Sequence, residues 1–173
     1  MSKILIVVDM QNDFITGNLS TFEARHIVKP MVAYIKDHQF DRIIATKDMH
    51  YKDYLDTLEG KKLPVPHCIV ATNGIHLEPQ IEEAIRGTHA FDYVFKETFG
   101  ATKLVRLLKL ADSSEIYLCG VCTDICVITN ALMLKTYFPN RKIAVLKDLC
   151  AGTTPEMHQK ALDVMQSCQI DIE

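Results

Sequence analysis

The chain has no surplus of basic residues. Its 19 Lys and Arg stand against 22 Asp and Glu, for a net charge of −3, and no cationic cluster exceeds the Lys61-Lys62 pair. A surface that tracks phosphates needs such a stripe, so nucleic-acid binding is not expected. A long apolar run is missing too. The run at 4–8 ends directly at Asp9, too short for a secretory h-region or a membrane span. Repeats, low-complexity tracts and internal linkers are also absent. Six cysteines without a leader point to reduced thiols in the cytoplasm. The spacing of Cys119, Cys122 and Cys126 lacks the second pair of a structural zinc site, so a metal-binding or redox-sensing thiol cluster is the lesser reading.

What is present is 173 residues, 48% apolar and 24% charged, enough for one globular domain over 1–173 with a substantial core. Short, mostly apolar runs, β-branched at 4–8, predict strands at 4–8, 42–46, 92–95, 115–119 and 142–146, with an edge strand at 169–172. Between them lie helical patterns. Ala24, Ile27, Val28, Met31 and Ile35 form a stripe across 21–38, with Pro30 marking a kink or a later start. Further helices are predicted at 79–85, around Leu104–Leu108, and from Val127 onward, and Thr154-Pro155-Glu156 opens the last. Residues 10–14 and 47–66 read as loops. The alternation predicts an α/β fold: a three-layer, doubly wound sheet of about six mostly parallel strands.

Strand ends carry the chemistry. Asp9 follows the first strand, Lys96 the third, and Cys126 lies beyond the fourth, where Thr123 is a candidate N-cap. In such sheets these ends share one edge, where ligands bind. Each residue has an ordinary role open to it: Asp9 as a turn residue, Lys96 as a snorkelling surface lysine, Cys126 as a buried thiol. Together, a carboxylate, a cation and a thiol near a helix N-terminus are the parts of a nucleophilic site. In the 47–66 connection, Asp48 and His50 are two apart and project alike from extended backbone. With His67 they make a carboxylate/imidazole set suited to zinc, iron or manganese, and Glu59 can add an oxygen. The alternative is a solvated polar loop.

Five segments, in order, carry a resemblance that covers nearly the whole chain: Val8-Asp9-Met10-Gln11-Asn12-Asp13-Phe14, Lys47-Asp48-Met49-His50, Pro66-His67-Cys68, Phe95-Lys96-Glu97-Thr98-Phe99 and Gly120-Val121-Cys122-Thr123-Asp124-Ile125-Cys126-Val127. The sequence resembles the isochorismatase-like cysteine hydrolases, and among them the nicotinamidases (pyrazinamidases). The resemblance implies a cysteine amidohydrolase that converts nicotinamide, or a similar small aromatic amide, to the acid and ammonia in NAD salvage. Its catalytic triad would be Asp9, Lys96 and Cys126. The oxyanion would be held by backbone N–H groups of Cys122 and Cys126 after a cis peptide at 121–122. One divalent metal, zinc before iron or manganese, would sit on Asp48, His50 and His67, with Glu59 a less secure ligand. That metal would hold the pyridine nitrogen while Phe14 packs on the ring. Two departures bear on the substrate: Met49 stands where the family often has Trp, and Leu63-Pro64-Val65 where it usually has an aromatic residue. The alternative is another small amide or ureido substrate on the same triad. A non-catalytic scaffold does not fit a complete triad. The partner expected is a small molecule, with no nucleic acid or membrane, and homo-oligomerisation is left open. Cys119, Cys150 and Cys168 are expected in the core, Cys68 beside the metal loop, and His26, His38, His89 and His158 at the surface.

Overall fold

The central strand β1 (Lys3–Val8) is apolar on both faces because both are covered, as a parallel sheet requires. The computed structural model describes residues 2–110 and 115–173. After β1 come α1 (Asn12–Ile15), α2 (Phe22–His26), α3 (Val28–Asp37), β2 (Arg42–Asp48), α4 (Leu58–Lys62), α5 (Pro79–Arg86), β3 (Phe91–Lys96) and α6 (Thr102–Lys109). The second half holds β4 (Glu115–Val121), a π-helical turn at Thr123–Val127, α7 (Ile128–Tyr137), β5 (Ile143–Ala151), α8 (Pro155–Ser167) and β6 (Asp171–Ile172). All strands pair in parallel, in the order β3-β2-β1-β4-β5-β6. Helix α3 packs with α5, and α7 with α8, so helices cover both faces of the sheet. The strand order reverses between β1 and β4, which opens a crevice at their C-terminal ends. Among the described residues, no helix is long and apolar enough to cross a membrane.

Several boundaries differ from the sequence expectations, each for a local reason. Residues 12–15 form a helical turn rather than loop, and its N-cap Gln11 is extended. The single helix expected at 21–38 is two helices meeting at Ile27. Thr21 caps the first by accepting from Ala24 N–H at 3.0 Å, and Pro30 falls in the first turn of α3, where no N–H is needed. Strand β2 continues to Asp48 because β3 pairs with it as far as Asp48↔Lys96. The 47–66 connection is not all loop: it contains a 3-10 turn at Tyr54–Asp56 and α4, capped by Thr57. Thr123 is not an N-cap; Cys122 holds that position, and the Thr123 hydroxyl pairs with His158 Nδ1 at 2.8 Å. His158 is therefore half-buried, not a surface residue, and Cys168 is exposed at the end of α8 rather than core.

Gly120 allows β4 to run on to Val121. Its φ is +120°, and a Cβ there would collide with the Val8 carbonyl of β1. Gly120→Ala is expected to lower stability by at least about 2 kcal/mol, from backbone strain and overpacking. A shifted denaturant midpoint at unchanged slope would report it, and an unshifted midpoint would contradict it.

Candidate active site

Asp9 leaves β1 at a φ of +49°, a region that Asp tolerates better than most residues. Its side chain is fully buried at the crevice. Thr46 of β2 donates its hydroxyl to Asp9 Oδ1 at 2.6 Å. Lys96, at the end of β3, brings Nζ to 2.7 Å from Asp9 Oδ2. That approach is a buried ion pair. The same ammonium lies 3.1 Å from Asp48 Oδ1 and 3.5 Å from Cys126 Sγ. Acid, amine and sulfur therefore meet in one place, from segments far apart in the chain.

Cys126 sits in the π-helical turn, one turn ahead of α7. Asn130 pins that turn, its Nδ2 donating to the carbonyls of Cys126 at 2.7 Å and Phe99 at 3.1 Å. Its Oδ1 accepts from Ala101 N–H at 2.8 Å. Burial, and then the Asp9 charge, push the Cys126 thiol well above its ordinary value, with Lys96 pulling against them. These effects oppose the thiolate that a helix N-terminus would favour. Burial also raises the Asp9 carboxyl, against the pull of Lys96. Burial alone would lower Lys96, but Asp9, Cys126 and Asp48 raise it well above its ordinary value, so it stays an ammonium.

Asp48, His50 and His67 are all buried, and their ligand atoms lie within 4.8 Å of one another. Asp48 Oδ2 is 2.8 Å from His50 Nε2 and 3.2 Å from His67 Nε2. Burial would raise the Asp48 carboxyl; the two imidazoles and Lys96 outweigh it and hold the group far below the carboxylate range. His67 Nδ1 faces the Val65 carbonyl at 2.9 Å, which leaves Nε2 free to act as a ligand. Two imidazole nitrogens and a carboxylate oxygen around one point fit a divalent ion of the zinc type. Glu59 is set back, with Oε1 3.8 Å from both imidazole Nε2 atoms.

A cavity of about 420 Å³ joins the two groups, lined by Phe14, Leu19, Leu63, Phe99, Cys122 and Cys126 together with Asp48, Glu59 and His67. Larger grooves, of about 840 and 930 Å³, open elsewhere, but neither is lined by Cys126, Asp48 or His67, as the smaller cavity is. Convergent titratable groups decide for the smaller cavity. Leu63 lines the wall, and Phe99 adds a second ring to the lining with Phe14. The sequence did not reveal Thr46, Asn130 or the wall role of Phe99. Asn130 had one signal, a polar residue four places after Cys126 and beside the apolar Ala131 and Leu134.

Fold and site define a doubly wound α/β protein with a buried acid–amine–thiol cluster at its switch point and an Asp/His/His group beside it. The chain belongs to the isochorismatase domain family, which matches residues 3–172. It is 28% identical to a nicotinamidase of Saccharomyces cerevisiae, over 98% of each chain. It is 26% identical to a nicotinamidase/pyrazinamidase of Mycobacterium tuberculosis, over 98% of this chain and 97% of the other. The crystal structure of a Pyrococcus horikoshii pyrazinamidase in complex with zinc superposes with a TM-score of 0.81 at 26% identity, covering 100% of this chain and 99% of that one.

Proposed function

We propose that the chain is a metal-dependent, nicotinamidase-like amidase that releases ammonia from nicotinamide or a similar small aromatic amide. One observation carries this reading: Lys96 Nζ stands 2.7 Å from Asp9 Oδ2 and 3.5 Å from Cys126 Sγ, at a cavity whose wall also holds Asp48 and His67. The nicotinamidase relatives, matched over nearly their full length, support the choice of substrate.

In this mechanism Asp9 takes the Cys126 proton as the sulfur bonds to the carboxamide carbon. The oxyanion is held by the N–H groups of Cys122 and Cys126. As the carbonyl re-forms, the C–N bond breaks and Asp9 returns its proton to the departing ammonia. Water, deprotonated by Asp9, then attacks the thioester; the acid leaves and the thiol regains its proton. Lys96 keeps the Asp9 carboxylate aligned through both halves. Phe14 and Phe99 pack against the substrate ring. Asp48, His50 and His67 would hold the ion, zinc before iron or manganese, with Glu59 next to it; when bound, it supplies a Lewis acid for a ring nitrogen. The acid product would feed pyridine-nucleotide synthesis in the cytoplasm.

The test is ammonia release from nicotinamide by the pure protein. Dialysis against a chelator is expected to abolish it, and added zinc to restore it. No release from nicotinamide, with chelator-resistant turnover of a ureido compound, would replace this reading with a metal-independent hydrolase of the same family.

A further inference from the structure

Alternate residues of the segment after Asp9 are committed to the ligand group. Gln11 is fully buried, and its amide forms a two-bond ring on the main chain of Asp48. Asp48 N–H donates to Gln11 Oε1 at 2.7 Å, and Gln11 Nε2 donates to the Asp48 carbonyl at 2.8 Å. Nε2 also donates to the Ile75 carbonyl at 2.9 Å, tying the end of β2 to the turn at Asn73–Ile75. Two residues on, Asp13 Oδ2 accepts at 2.7 Å from the N–H of Cys68, the neighbour of His67. Gly74 packs on that carboxylate so closely that a Cβ would overlap it.

The backbone after His67 needs such support. Cys68 and Ala71 have φ of +48° and +65°, conformations that neither residue type favours. The imidazole itself is held from the other side by Val65. Asp13 is the side-chain acceptor that fixes the main chain on the C-terminal side of His67.

We infer that Gln11 and Asp13 are positioning residues for the metal group, Gln11 setting the main chain of Asp48 and Asp13 the main chain behind His67. The inference rests on the proposed metal site, and neither residue touches the ion or the substrate. The segment from Asp9 to Asp13 thus serves both halves of the cavity: its first residue faces the thiol, and its third and fifth hold the ligands in place.

Zinc affinity, measured by competition with a chromophoric chelator, tests this without reference to turnover. Asp13→Ala and Gln11→Glu are expected to weaken zinc binding about 10–100-fold, the usual cost of removing groups that orient ligands. Asp13→Asn keeps an acceptor for Cys68 N–H and should stay within a few-fold of wild type. Alkylation of Cys126 by iodoacetamide in metal-free protein should proceed at the wild-type rate in all three, which separates lost positioning from lost folding. Wild-type zinc affinity in Asp13→Ala and Gln11→Glu overturns the inference. So does an Asp13→Asn variant as weak as Asp13→Ala, or faster Cys126 labelling wherever zinc is lost. A wild-type chain that binds neither zinc, iron nor manganese overturns the metal site itself, and this inference with it.

Discussion

Cys126→Ala is expected to reduce ammonia release by about 10⁴-fold or more, because in the proposed mechanism Cys126 alone forms the thioester. Cys122 lines the same cavity, but its thiol is not the one beside Lys96. Burial, and then the Asp124 charge, also push Cys122 up to about 12. The fold should survive the change. Asn130 holds the turn through the backbone carbonyl of Cys126 rather than its side chain. Turnover and thermal melting, measured on the same preparation, separate the two effects. Activity within tenfold of wild type would remove Cys126 from the proposed mechanism.

Lys96→Met should be costly in a different way. The Lys96 side chain is 2% exposed and lies between Asp9, at 0%, and Asp48, at 7%. Methionine fills a similar volume but leaves the buried Asp9 carboxylate without its cation and Asp48 with only its two imidazoles. Removing one partner of a buried pair costs about 3–5 kcal/mol, so urea unfolding of the metal-free protein should show a loss of that size at neutral pH. The sign with pH follows from Asp9. Burial already raises its carboxyl, and without Lys96 the folded state binds that proton more tightly than the unfolded chain. The deficit is then greatest at neutral pH and shrinks as pH falls. A loss below about 1 kcal/mol, or one that grows on acidification, would show that the ammonium is not the main compensating charge. Turnover should be lost as well, since Asp9 would be protonated when it is needed as a base.

Much of this was legible in the chain. The mostly apolar runs at 4–8 and 115–119 lie within central strands of the sheet, because burial on both faces leaves no polar alternation. Thr154-Pro155 opens α8, because capping and proline act locally: the Thr154 hydroxyl accepts from Met157 N–H at 3.1 Å. The misread features have in common that distant pairing decides them. Strand β2 reaches Asp48 only because β3 is beside it. Thr123 looks like a cap until His158 approaches from α8 and occupies its hydroxyl. Cys168 falls on an apolar stripe, yet α8 ends there and exposes it. Burial and the facing Asp9 charge, which raise the Cys126 thiol, likewise come from distant packing.

By itself the sequence determined the inventory: an acid, an amine and a sulfur at the ends of the first, third and fourth strands, and an Asp-x-His followed by a further His. Periodicity and local capping, which act over a few residues, suffice to put each of these near an element end. Only the tertiary structure decided that a single Lys96 ammonium touches Asp9, Asp48 and Cys126 together, and that Gln11 and Asp13 hold the main chain of the ligand segments. Such contacts depend on strand order and register, which are set by the packing of the whole sheet and leave no local trace in the chain.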